Sequence, residues 1–148
     1  MITRMKFSSM IIVCLVFQLA ISALGQTPDP AKLKDKVTLK LNDKVTVTFH
    51  AQGDKLTDPK IAPQSDEKPS SISFSFTLEQ GVRMLTIQNA FSRGIRMRCL
   101  ARVAGAKDYV ENNVHPLFPN FFSTEAFGDR VEELVLFDFK LTDDKLPQ

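Results

Sequence analysis

From residue 36 onward, apolar and polar side chains alternate with period two. Val37, Leu39 and Leu41 share one face of the chain, and Lys36, Thr38 and Lys40 share the other. Val45, Val47 and Phe49 repeat this against Lys44, Thr46 and Thr48. Ile72, Phe74, Phe76 and Leu78 alternate with serines and Thr77, and Val82 to Gln88 alternates less cleanly. Ile95, Met97, Cys99, Ala101 and Val103 alternate with Arg96, Arg98, Leu100 and Arg102. Near the C-terminus, Val135, Phe137, Phe139 and Leu141 are expected on the inner face, and Leu134, Leu136, Asp138 and Lys140 on the outer one. Such alternation predicts antiparallel strands with one face in a core.

Register constrains the turns. A three-residue loop, Asn42 to Lys44, would pair Leu41 with Val45, Leu39 with Val47 and Val37 with Phe49, unless the two strands lie in opposite sheets. A two-residue turn at Gln80–Gly81 pairs Phe76 with Leu85 and Phe74 with Ile87, and Gly81 supplies the positive φ that turn needs. Residues 52–70 form the longest polar stretch, as an excursion or with a short edge strand near Lys60–Ile61–Ala62. The one helical candidate is Ser123 to Phe127, capped by Ser123 and stopped at Gly128.

About seven short strands and no long helix predict an all-β fold, an antiparallel β-sandwich occupying residues 37–148, with a small β-barrel as the alternative. Two strand segments, Leu85 to Asn89 and Ile95 to Cys99, are joined through Ser92-Arg93-Gly94. This stretch resembles the paired core strands of immunoglobulin-like or fibronectin-like modules. The resemblance covers about twenty residues. It implies a sandwich, while the tryptophan of antibody-type domains is missing.

The N-terminus changes the picture of where the domain works. Arg4 and Lys6 precede an uncharged run from Met10 to Leu24, which ends in Ala23-Leu24-Gly25. That is the tripartite form of a secretory signal over residues 1–25, with cleavage expected after Gly25. The run is shorter than the ~20 residues that span a bilayer, so an uncleaved anchor is the lesser reading. Residues 26–36, with Pro28 and Pro30, read as a linker. Arg4 and Lys6 would leave with the signal, so 19 basic and 17 acidic residues become a balanced 17 and 17. A basic field for nucleic acid is therefore not expected. Cys14 leaves as well, and Cys99 is expected as a lone buried thiol. The expected localisation is periplasmic or secreted, with no membrane attachment after cleavage.

Candidate chemistry is sparse. Arg96, Arg98 and Arg102 line one strand face and suit an anionic ligand, unless neighbouring acids such as Glu132, Glu133 or Asp138 pair with them. Phe118, Phe121 and Phe122, in a segment with His115, Pro116 and Pro119, suit a protein partner or a membrane surface, unless they pack over one end of the core. Cys99, His50 and His115 are the residues from which a small hydrolase could be built, yet no nucleophile motif surrounds any of them. Two separated histidines and one cysteine do not make a zinc site, and the aspartates form no calcium loop. No cofactor is expected. The chain is read as an exported, non-enzymatic binding or structural module for an unknown protein or anionic ligand, with a hydrolase or a signal-anchored domain as alternatives.

Overall fold

The structure is a computed structural model that describes residues 26–63 and 70–143. The expected signal peptide, part of the polar stretch and the last five residues lie outside the described residues.

Nine strands form. They are β1 (Val37–Lys40), β2 (Lys44–Gln52), β3 (Lys55–Ala62), β4 (Ser71–Glu79), β5 (Val82–Asn89), β6 (Gly94–Val103), β7 (Val110–Asn112), β8 (Phe122–Phe127) and β9 (Val131–Thr142). All pair antiparallel in one sheet, in the order β7-β6-β9-β3-β2-β4-β5-β8, with β1 also on β9. The all-β, antiparallel expectation therefore holds. The architecture is a single curled sheet forming an open half-barrel, with more strands than the seven expected.

The curl lets one sheet enclose its own core. Leu39, Val47, Phe74, Ile87, Ile95, Cys99, Leu117 and Phe139, drawn from both flanks of the sheet, meet in one buried cluster. Each such side chain contributes roughly 1.5–3 kcal/mol by leaving water. Phe139 packs on Phe49 and Phe74 with ring centroids 4.8 and 6.3 Å apart, in tilted geometry that suits the ring quadrupoles.

The β4–β5 hairpin forms as its sequence predicts. Phe76 faces Leu85 and Phe74 faces Ile87. Both turn residues have positive φ, Gln80 at 50° and Gly81 at 83°, as a type I′ turn requires. The Lys60–Ala62 strand also appears, as the end of a longer β3 that pairs with β2.

Three expectations are corrected. First, β1 does not pair with β2; it pairs with β9, Val37 opposite Leu136 and Leu39 opposite Leu134. Asn42 at φ 76° turns the chain away, and its N–H bonds to Phe76 O instead. Second, Ser123–Phe127 is strand β8, not a helical turn. Its backbone pairs with β5 from Gln88 opposite Phe122 to Arg83 opposite Phe127. Pairing six residues outweighs the local capping signal at Ser123. Third, β9 changes phase partway. Asp138 sits at φ 55°, and the β6–β9 register shifts between Arg96 and Arg98. This bulge puts Leu134 and Leu136 in the main core together with Phe139, and turns Val135 and Phe137 to the outer side.

That outer side has its own small cluster. Leu100, Val135 and Phe137 are buried there, with Leu33 and Tyr109 packed against them. The segment before β1 is thus more than a spacer. Asp29 caps a 3₁₀ turn at Pro30–Lys32, accepting from Ala31 N at 2.9 Å, and the chain then lays Leu33 on the cluster.

Candidate functional site

The arginine face of β6 is engaged with the protein's own groups. Arg98 binds Glu111 of β7 in a fork, Nε to Oε1 at 2.7 Å and Nη2 to Oε2 at 2.9 Å. Its guanidinium also lies 4.9 Å from the centre of the Phe137 ring. Arg102 donates to Glu132 Oε1 at 2.7 Å and to Glu133 Oε2 at 3.2 Å, and sits over the Tyr109 ring. The Tyr109 hydroxyl donates to the other oxygen of Glu133. Arg96 faces Lys140 in the register and also makes an interaction of its own.

The carboxylates respond to this setting. Burial pushes Glu133 upward, but the hydrogen bonds from Tyr109 and Arg102 hold it below its ordinary value. The Arg98 fork holds Glu111 low in the same way. Arg98 and Arg102 thus serve as struts that tie β6 to its neighbours.

The phenylalanine segment differs. Residues 113–121 connect β7 and β8, which lie at opposite ends of the sheet order. Leu117 is buried and pairs with Ile95 through both backbone groups. Phe118 is half-buried. Phe121 and Phe122 are 44% and 62% exposed, which is high for phenylalanine. Their rings stack, with centroids 5.6 Å apart and planes 11° from parallel. Phe118 meets Phe121 edge-on at 6.4 Å. The three rings form one exposed aromatic ridge where the connection enters β8.

Asn89 holds that ridge in place. Its side chain is almost fully buried, and Nδ2 donates to Arg93 O and to Phe118 O, both at 2.9 Å. Its Oδ1 accepts from Phe91 N, and its backbone N–H donates to Phe121 O at 2.8 Å. One amide therefore closes the Ala90–Arg93 turn and clamps the connection before β8. Sequence reading passed over Asn89 as a strand end. An asparagine two residues past Ile87 and two before Phe91-Ser92-Arg93-Gly94 was the available signal.

Beside the ridge, His115 meets Glu125 of β8. Nδ1 lies 2.9 and 3.1 Å from the two carboxylate oxygens, and the His115 backbone N–H donates to Oε1 at 3.0 Å. Ser123 Oγ reaches the same Oε1 at 3.5 Å. The hydroxyl is bonded to the acid, whereas a triad needs the imidazole between nucleophile and acid. Cys99 is fully buried, and burial pushes its thiol up to about 12, so it remains protonated at neutral pH. His50 is exposed on β2, opposite Thr57. Among the described residues, no three His, Cys, Asp or Glu side chains are grouped to hold a metal ion. No helix among them is long and apolar enough to cross a membrane.

Among the described residues, β8 pairs with β5 on one side and ends the sheet order on the other. Its sequence, Phe-Ser-Thr-Glu-Ala-Phe, contains no lysine or proline of the kind that blunts exposed edges. A ridge of aromatic surface thus runs directly into a strand edge whose hydrogen-bonding groups face outward. The chain matches no protein-family model, curated protein or solved structure with which it was compared.

Proposed function

We propose that the protein is an exported, non-enzymatic module that captures an extended protein segment along the outer edge of β8. The exposed Phe121–Phe122 stack at the head of that edge carries the reading. Backbone groups of the edge give affinity to any extended chain, and the ridge selects one that brings apolar side chains. The arginine face supports a structural role instead of anion capture, since Arg98 and Arg102 already spend their donors on Glu111, Glu132 and Glu133. A hydrolase built on His115 has less support, because Ser123 bonds to Glu125 and not to the imidazole. The signal-like residues 1–25 support export, with Gln26 as the first residue after cleavage. An immunoglobulin- or fibronectin-like sandwich is the finer architecture we infer, supported by the way both flanks of the curl meet in one core.

Photo-crosslinking tests the reading. Benzoylphenylalanine placed at Phe122, in the cells that make the protein, is expected to yield a discrete protein adduct. The same probe at exposed Lys107, on the connection between β6 and β7, is expected to yield none. Equal adducts at both positions, or none at Phe122, would overturn it.

A further inference from the structure

The β8 edge has a sequence that fits itself. When an antiparallel strand pairs with its own copy about a two-fold axis, residues directly opposite must lie on the same face. The axis then passes through a residue, and only three positions on β8 place several pairs together. Centring on Glu125 sets two carboxylates face to face, which is destabilising. Centring on Ser123 sets Phe122 against Thr124, and Phe121 against the acid of Glu125. Centring on Thr124 satisfies every pair. Thr124 meets its own copy, Phe122 meets Ala126, Ser123 meets Glu125, and Phe121 at the strand entrance comes opposite Phe127.

Each of those pairs has a physical merit. Thr–Thr pairs on a sheet face hydrogen-bond across strands. A large ring beside an alanine fits where two large rings would collide. Phe127 stays buried against Phe76 in its own core, so this register leaves its packing undisturbed. Ser123, whose contact to Glu125 in its own chain is long at 3.5 Å, faces a second acceptor.

We propose that the occupant of the β8 edge is a second copy of this chain, joined antiparallel about a two-fold axis at Thr124, so that two half-barrels form one continuous sheet. The proposal rests on the reading of β8 as a capture edge and narrows it to one partner. Isologous pairing of this kind closes on itself and yields a dimer, not a fibre.

Residues 26–148 contain one cysteine, buried Cys99, so engineered thiols report cleanly. Sedimentation velocity on this chain is expected to show a dimer at micromolar concentration. Thr124→Cys is expected to oxidise to a covalent dimer. Ala126→Cys is not, because its own copies lie about 13 Å apart along the strands, beyond disulfide reach. Phe122→Cys mixed with Ala126→Cys is expected to cross-link. Thr124→Lys and Thr124→Glu, both at an exposed position, are each expected to weaken dimerisation about a hundredfold by opposing like charges. Mixing the two is expected to restore it. A monomer at about 100 μM overturns the proposal, as does a dimer that cross-links at Ala126 alone or that survives Thr124→Lys. In the monomer case a Phe122 photo-adduct of a different protein keeps the β8 reading, and its absence removes both.

Discussion

Glu133 sits 12% exposed between two hydrogen-bond donors, and its proton affinity is where the arginine face reports itself. Its pKa in the fold is lowered, so the ionised form favours folding. The stabilisation is complete above the ordinary value of 4.5 and is lost as pH falls through the lower folded value. Glu111 behaves likewise under the Arg98 fork, though it is more exposed and screened by solvent. Urea midpoints measured from pH 7 down to pH 3 are therefore expected to fall below about pH 4.5, and Glu133→Gln is expected to flatten part of that slope. An equal slope in Glu133→Gln would show that the network contributes nothing. Cys99 behaves oppositely. Burial raises its pKa, so a thiol reagent at pH 8 is expected to leave residues 26–148 unlabelled until denaturant is added. Rapid labelling of the native chain would place the thiol at the surface and undo the core assignment.

At the level of elements, Asn89 links the β5–β6 turn to the connection that carries the phenylalanines. Asn89→Ala leaves Phe91 N and two carbonyls without partners in a buried setting, and is expected to destabilise by about 1–3 kcal/mol. It should also speed amide hydrogen exchange at Phe121 and Phe122 more than in β2 or β4. Uniformly faster exchange would mean that Asn89 supports the whole fold and does not clamp this connection. The same elements show what a sequence can specify. The β4–β5 hairpin was legible because Gln80–Gly81 fixes both turn type and register, and a slip would bury Ser73 and Ser75. β8 was not, because Ser123-Thr-Glu-Ala-Phe-Gly128 satisfies helix capping locally, while its pairing with β5 is encoded 34 to 44 residues away. The inner face of β9 was misread from Leu134 to Phe137 and read correctly at Phe139 and Leu141, since a bulge at Asp138 exchanges the faces and leaves no mark in the alternation. The arginine partners were half legible. Glu132 and Glu133 were named from proximity on neighbouring strands, but Glu111 comes from β7, a strand of three residues with no visible period. Exposure of Phe121 and Phe122 was open in the sequence because an irregular segment rich in rings can either pack over one end of the core or stand clear of it.

For the molecule as a whole, burial and not residue type decides what a phenylalanine does. Phe74 and Phe139 lie in the core that both flanks share, at 2% and 1% exposure. Phe74→Ala removes a ring from a cluster that cannot collapse around the gap, because strands on three sides fix its walls, and is expected to cost about 3–5 kcal/mol. That is a large fraction of the stability of a domain this size, so a substantially unfolded population at 37 °C is expected. Phe121→Ala with Phe122→Ala removes two rings of the same chemistry from the surface. At concentrations that keep the chain monomeric, the pair is expected to shift stability by no more than about 0.5 kcal/mol. Urea unfolding with an unchanged slope would show that both proteins lose the same cooperative unit. Because β9 contacts β1, β3 and β6 and carries core residues on both faces, that unit is expected to include the outer cluster under Leu33 as well. A large loss from the surface pair would mean that the ridge closes the half-barrel instead of awaiting a partner, and would move these two rings from the binding surface into the core.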